Sequence, residues 1–278
     1  MEYTVSKTDA GMKLVQFLKR MIGEELSSRE IKRLIESNQC QLNHRIEKFA
    51  STIVKEGDII SFSFDAIEKN TFQDIEILYE DPYILAIDKP SGISSDDSVL
   101  QKAPYLLHRL DKGTTGVLLF AKTKEAKALM ESLFKDRKIQ KIYLAIVDGI
   151  PKKKSGTLHA SILKVEENRW AVDSRGKEAM TQWTLLQKGQ HTALVECRPI
   201  TGRTHQIRLH LKYLGNPIIG DTHYTSRFNC KDIPCRFLLH ASSVSFIHPF
   251  TQSQITIRSE LPLDFVDFIY KNNIKHFI

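Results

Sequence analysis

A chain of 278 residues is long enough for one large domain, or for an ordinary domain with a small companion. Its 41% hydrophobic and 26% charged residues suit a globular protein with a real core, and no apolar run approaches the roughly 20 residues that cross a bilayer. The net charge of +7, with 29 basic against 22 acidic residues in 74–278, favours an anionic partner, and nucleic acid first, because neutralised phosphates supply most non-specific affinity. The start, Met1 to Lys7, lacks the apolar core of a signal peptide, so a cytoplasmic protein without membrane attachment is expected. Cys40, Cys197, Cys230 and Cys235 form no pair of Cys-x-x-Cys motifs, which predicts free thiols and no metal site.

In chain order, Leu14, Val15, Phe17, Leu18 and Ile22 recur at helical spacing. Ser27 stands three residues before Glu30, the spacing of a capping box, and predicts a second helix with Ile31, Leu34 and Ile35 on one face. Arg29, Lys32 and Arg33 fall largely on the other. Short strands are expected over Cys40 to Arg45 and Ile59 to Phe64. Residues 65–73 are polar and without pattern, as a linker is. Ile75 to Tyr79 and Tyr83 to Ile87 then predict a hairpin about the turn Glu80-Asp81-Pro82.

Gly116 to Lys122 reads as a buried strand. Lys124 to Arg137 reads as a helix whose apolar stripe is Ala126, Leu129, Met130, Leu133 and Phe134. Strands are expected over Gln140–Val147, Thr157–Val165, Ala179–Leu186 and His191–Ile200. A helix carrying Leu209, Leu211 and Leu214 follows, capped by Thr201 or Thr204 and stopped at Gly215 and Pro217. Phe237–Ala241 and Ile255–Ile257 read as strand partners, and Phe265–Tyr270 as a short last helix. Without regular βαβ alternation, the fold class is α+β, with a mixed, mostly antiparallel sheet flanked by helices.

Three stretches stand out for polar density beside strong elements: His108–Gly116, Lys141–Tyr143 and Thr201–His210. They supply a carboxylate, a phenol and several cations. The chain has no Gly-rich phosphate loop, no His-Glu-x-x-His pair and no Gly-x-Ser-x-Gly elbow. A site that works on an anionic substrate without cofactor or metal is what remains.

These stretches resemble the motifs of RluA-type pseudouridine synthases. His108-Arg109-Leu110-Asp111 with Thr114-Thr115-Gly116 matches the aspartate motif, with Thr115 where Ser is usual. Lys141-Ile142-Tyr143 matches the tyrosine motif, and Gly202-Arg203-Thr204-His205-Gln206-Ile207-Arg208 the arginine motif. Lys89-Pro90-Ser91-Gly92 and Leu239-His240-Ala241 match two lesser signatures. The first segment, through Lys13–Leu18, Ser28–Ile35 and Cys40–Asn43, resembles the S4-type RNA-binding domain. His44 stands where that family has Gly after Asn, which predicts a different turn.

The resemblance implies an S4-like RNA-binding domain over 1–64, a linker over 65–73 and a catalytic domain over 74–278. It implies that uridine in structured RNA is converted to pseudouridine, a cofactor-free isomerisation in which the N1–C1′ bond breaks and C5 takes the place of N1. Asp111 would be the catalytic carboxylate, Arg208 its pairing cation, and Tyr143 would stack on the base. Arg109 would fill the gap left by the flipped nucleotide, and Leu239 would pack on the base. Arg203, His205 and Gln206 would touch RNA or brace the site, and Arg29, Lys32 and Arg33 would meet phosphates. The target expected is large-subunit ribosomal RNA, with transfer RNA as the alternative, and the enzyme is expected to act as a monomer. Two competing readings are a non-catalytic RNA-binding assembly factor and a glycoside hydrolase. The hydrolase would need a second acid near Asp111, for which Asp96 and Asp97 are the candidates.

Overall fold

The computed structural model describes residues 2–23, 28–36, 39–62, 75–96, 103–167 and 169–274. The chain divides into two compact units, Met1–Asp74 and Ile75–Ile278. The expected linker at 65–73 lies outside the described residues, as do Ser27 of the capping box and Asp97.

The first unit runs β1 (Glu2–Thr4), α1 (Leu14–Ile22), α2 (Ser28–Glu36), β2 (Cys40–Leu42), β3 (Arg45–Ile46) and β4 (Ile59–Phe62). Its strands form one antiparallel sheet in the order β1-β4-β2-β3. Leu14, Phe17, Leu18 and Ile22 of α1 meet Ile31, Leu34 and Ile35 of α2 over Ile60 and Phe62 of the sheet. Each such side chain contributes about 1.5–3 kcal/mol on leaving water. The run from Cys40 to Arg45, expected as one strand, breaks at Asn43 and His44, both left-handed with φ of 50° and 62°. That two-residue turn matches the twist of the strands it joins and is the kind that Asn-Gly makes. Here it is made with His, so the departure at residue 44 leaves the hairpin in place.

In the second unit the elements are β5 (Ile77–Glu80), β6 (Ile84–Lys89), β7 (Tyr105–Leu106), β8 (Thr115–Ala121), α3 (Lys124–Lys135), β9 (Gln140–Asp148), β10 (Ser155–His159), β11 (Ile162–Glu166), β12 (Arg169–Val172), β13 (Met180–Lys188), β14 (Thr192–Pro199), α4 (Gln206–Tyr213), β15 (Leu239–Ile247), β16 (Gln254–Arg258) and α5 (Leu263–Lys271). The main sheet has the order β10-β13-β14-β9-β15-β8-β6-β5, with β16 beside β15 and β7 beside β8. The pairing of β15 with β8 is parallel and its other pairings are antiparallel, so the mixed, mostly antiparallel sheet is as expected. The β5–β6 turn has a chemical cause: Asp81 Oδ1 accepts the backbone N–H groups of Tyr83 and Ile84, both at 2.7 Å.

Strand alternation assigns the two faces. Leu144, Ile146 and Leu194 pack with Phe265, Phe268 and Ile269 of α5. Ala145, Val147 and Val195 pack with Ile207 and Leu211 of α4. On α3, Ala126 and Met130 are buried but Leu129 is 39% exposed, so the apolar stripe is narrower than its spacing suggested. The stretch Thr157–Val165 is two strands, not one. It leaves the main sheet after His159, and β11 pairs with β12 in a separate sheet, with one bridge from Ile162 to Lys177.

Gly116 fixes how the middle of the sheet closes. Its φ is +107°, and a Cβ there would lie 2.3 Å from the carbonyl oxygen of Ala241 on β15. No larger residue fits where the parallel pair begins.

Candidate active site

Asp111 lies in the loop just ahead of β8, and that loop is tied down on every side. Ser95 Oγ accepts the Leu110 N–H and donates to the Leu110 carbonyl, both at 2.8 Å. The Thr114 N–H donates to the Asp111 carbonyl at 2.9 Å, and Arg236 Nη1 to the Gly113 carbonyl at 3.1 Å. The wholly buried Lys89 donates to the carbonyls of Pro90, Ile93 and Lys112 at 2.8, 2.9 and 3.3 Å. Burial, then the charge of Arg236, pull the Lys89 ammonium down to about 7, against the opposing pull of Asp111 and Asp88. At the strand end, Thr115 Oγ1 meets His240 Nδ1 at 3.0 Å, and His240 Nε2 faces the Ser259 carbonyl at 3.2 Å.

Arg208, 5% exposed on α4, reaches this loop across 97 residues of sequence. Its Nη1 donates to Asp111 Oδ2 at 3.0 Å. Its Nε and Nη2 donate to the two oxygens of Asp221, both at 2.8 Å. The guanidinium also lies over the rings of Phe237 at 4.3 Å and Tyr224 at 5.0 Å. Burial alone would depress Arg208, and the pairing with Asp221, then Asp111, outweighs it and holds the group above its ordinary value. Asp221 was not foreseen, since Gly220-Asp221 matches no motif. The available signal was chemical: a buried guanidinium has five N–H donors, more than one carboxylate can fill.

Tyr143, on β9, is half-buried among Phe237, Leu239 and Ile207. Burial and the charge of Asp111 raise its phenol, so the ring is neutral at physiological pH. Leu239 is 3% exposed in the same cluster. His205 begins α4 in the left-handed region, φ 55°, where Thr201 or Thr204 was expected to cap. It offers no side-chain cap. Its Nδ1 meets the Tyr224 hydroxyl at 2.6 Å, and its Nε2 stands 3.8 Å from Asp111 Oδ1.

A model of the RNA pseudouridylate synthase family matches residues 83–213. An uncharacterized RNA pseudouridine synthase of Synechocystis is 31% identical over 94% of this chain and 89% of its own. A ribosomal large subunit pseudouridine synthase C of Vibrio vulnificus is 29% identical over 91% of this chain and 90% of its own. The chain belongs to the RluA-type RNA pseudouridine synthases. The solved human RNA pseudouridylate synthase domain containing 4 superposes with a TM-score of 0.61 and 26% identity, over 72% of this chain and 94% of that one.

The remaining residues expected to serve the synthase fall in several places. Arg109 is exposed and its Nη2 pairs with Asp96 Oδ2 at 3.2 Å, so Asp96, the candidate second acid, faces a cation. Arg203 is exposed, with its Nε on the Glu178 carbonyl at 3.1 Å. Gln206, expected to touch RNA or brace the site, is buried with its amide fully used. Its Oε1 accepts from Thr201 Oγ1 at 2.6 Å and the Arg203 N–H at 3.0 Å, and its Nε2 donates to the Met180 carbonyl at 2.9 Å and Thr181 Oγ1 at 3.0 Å. It braces the start of α4 against β13. His210, on Thr181 Oγ1 and the Ala160 carbonyl at 2.9 Å each, and His240, on Thr115 Oγ1 and the Ser259 carbonyl, are held inside the fold. In the first unit Lys32 is exposed on α2, and the side chains of Arg29 and Arg33 lie outside the described residues. Among the described residues no helix is long and apolar enough to cross a membrane.

Proposed function

We propose that this synthase isomerises uridine in large-subunit ribosomal RNA with Asp111 as its reacting carboxylate. The observation that carries the reading is the single bond from Arg208 Nη1 to Asp111 Oδ2 at 3.0 Å. Among the described residues, Oδ1 is left without a direct hydrogen bond in a side chain that is 22% exposed. A buried cation sits on one oxygen, and the other is open to the nucleoside as nucleophile or base. Tyr143, neutral and beside this charge, offers a face for the uracil ring and a group near the C5 proton. When the N1–C1′ bond breaks and C5 joins C1′, C5 loses one proton and N1 gains one, so no atom leaves. Leu239 packs behind the base, and exposed Arg109 fills the space it vacates.

The ribosomal target is supported by the Vibrio vulnificus relative, a ribosomal large subunit pseudouridine synthase C that aligns over 91% of this chain. The first unit, two helices on an antiparallel sheet, serves as an S4-like RNA-binding domain, with Lys32 and its helix neighbours towards phosphate. The reading carries with it a cytoplasmic enzyme that acts as a monomer.

Tritium release from C5-labelled uridine tests both parts. The native chain should release tritium from a large-subunit ribosomal RNA transcript, and Asp111→Asn should lower the rate about 10⁴-fold or more. Release from transfer RNA alone would replace the substrate. Full activity of Asp111→Asn would remove the carboxylate from its role.

A further inference from the structure

His205 was expected to touch RNA or brace the site, yet both of its ring nitrogens are turned inward. The ring is 17% exposed and walled by aromatic edges: Trp170 of β12 at 4.9 Å, Tyr224 at 5.5 Å and His223 at 5.8 Å. The charged and titratable groups that bear on it are Asp111 from the loop ahead of β8, Arg208 from its own helix, and His223 and Asp221 from the segment that follows. A backbone left-handed at a non-glycine residue is strained, and such strain persists only where the surroundings fix it.

The neighbours of the ring favour one tautomer. The Tyr224 hydroxyl lies 2.6 Å from His205 Nδ1 and has an O–H to give. Nδ1 is then an acceptor. Burial holds the imidazole neutral by taking it down to about 4, so the one ring proton belongs on Nε2. Nε2 faces Asp111 Oδ1 at 3.8 Å, the oxygen that Arg208 leaves open. The opposite tautomer would turn a lone pair towards a carboxylate.

We propose that Tyr224 and His205 are a positioning pair for the reaction: Tyr224 holds the His205 ring as its Nε2–H tautomer, and that N–H orients Oδ1 of Asp111. The distance is beyond a hydrogen bond, so the N–H acts as a dipole on the carboxylate in a largely water-free pocket. Arg208 fixes one oxygen and His205 steers the other, which limits rotation of the carboxylate about its Cβ–Cγ bond. The proposal rests on the reading of Asp111 as the reacting group.

The test is nitrogen-15 NMR of histidine-labelled full chain, with the His205 signal found from its absence in His205→Gln. Nε2–H is expected in the native protein and in Asp111→Asn alike, because Tyr224 sets the tautomer. In Tyr224→Phe the signal should move towards a mixture. Its kcat should fall about tenfold with little change in KM, the size expected for one interaction with a charged group. The acid limb of its pH profile should move upward, since Nδ1 loses the donor that competed with protonation. His205→Gln, which keeps an N–H donor, should retain more kcat than His205→Ala. A native ring protonated on Nδ1 would overturn the proposal. So would a folded Tyr224→Phe with native kcat and native tautomer. Full activity of Asp111→Asn would remove the catalytic reading of Asp111 and leave the tautomer result standing.

Discussion

The two units are each built on contacts of different reach. In the first, Arg20 binds Asp9 from 11 residues away and Asn43 binds Asp58 from 15. Ser61 reaches Glu2 across 59 residues, but as an exposed bond between paired strands. In the second, the bonds that shape the site join Arg208 to Asp111 over 97 residues, Arg236 to Gly113 over 123 and Thr115 to His240 over 125. Thr115–His240 is buried and the other two are part-buried, whereas Asn43–Asp58 and Ser61–Glu2 are exposed. A unit made of near contacts absorbs an odd residue, as the His44 turn does. A site made of far ones, partly shielded from water, loses much when one partner goes.

The largest expected effect sharpens that contrast within the site itself. Arg208 holds Asp221 with two bonds at 2% exposure and Asp111 with one at 22%. Breaking a buried pair leaves an uncompensated charge, so Asp221→Asn should cost about 3–5 kcal/mol of stability. Asp111→Asn, wetter and singly bonded, should cost about 1 kcal/mol while removing activity. Urea unfolding followed by tryptophan fluorescence checks this, because both tryptophans, Trp170 and Trp183, lie in the second unit. Equal losses would break the distinction between the carboxylate that anchors and the one that reacts.

The same reach decides what could be read from the sequence. Both helices of the first unit, the buried strand at 115–121 and the long helix after it follow from periodicity, because a period is a local property. The three motifs singled out Asp111, Tyr143 and Arg208, and the structure brings Arg208 onto Asp111. Asp221 was illegible because only the folded chain shows that Arg208 has donors to spare. Gln206 was left between two roles for a related reason. Its motif said that it belongs to the site, but only its four hydrogen bonds tell that it faces the core and braces α4. The turn at Asn43-His44 and the departure of β11 from the main sheet are backbone events that side-chain alternation does not encode.

Acid should probe the buried polar bonds of the second unit next. A histidine in an unfolded chain titrates near 6.5. Burial takes His240 down to about 4, and burial with Lys141 takes His108 to about 3. Both are neutral in the fold and would bind a proton on unfolding. The unfolded state therefore binds more protons below about 6.5, and stability falls as pH drops from there towards about 4. The loss is at most about 1.4 kcal/mol per pH unit for each group, and stability should not vary from this cause above pH 7. Urea midpoints by tryptophan fluorescence at pH 7.5 and 5 measure it, and His240→Gln should flatten the slope. A native midpoint that does not change between those pH values would mean that these rings are not held neutral.

The smallest effect belongs to the first unit and runs the other way. His44 pays the steric cost of a left-handed backbone, φ 62°, at an exposed turn. Its neighbour Asn43 is well served there: its Oδ1 accepts the Ile59 N–H and its Nδ2 donates to Asp58 Oδ1, both at 2.9 Å. Among the described residues nothing comparable compensates position 44. Glycine adopts this conformation without the Cβ clash, though it also enlarges the entropy of the unfolded chain. The strain is the larger of the two in a two-residue hairpin turn, so His44→Gly should stabilise the hairpin by about 0.5–1 kcal/mol. Amide hydrogen exchange on the full chain should slow at Cys40–Leu42 and Arg45–Ile46 and stay unchanged at β8 and β15. Faster exchange at the hairpin would show that the histidine side chain contributes more than its backbone costs. Slower exchange at β8 as well would mean that the two units do not respond separately, and the contrast between near and far contacts would fail with it.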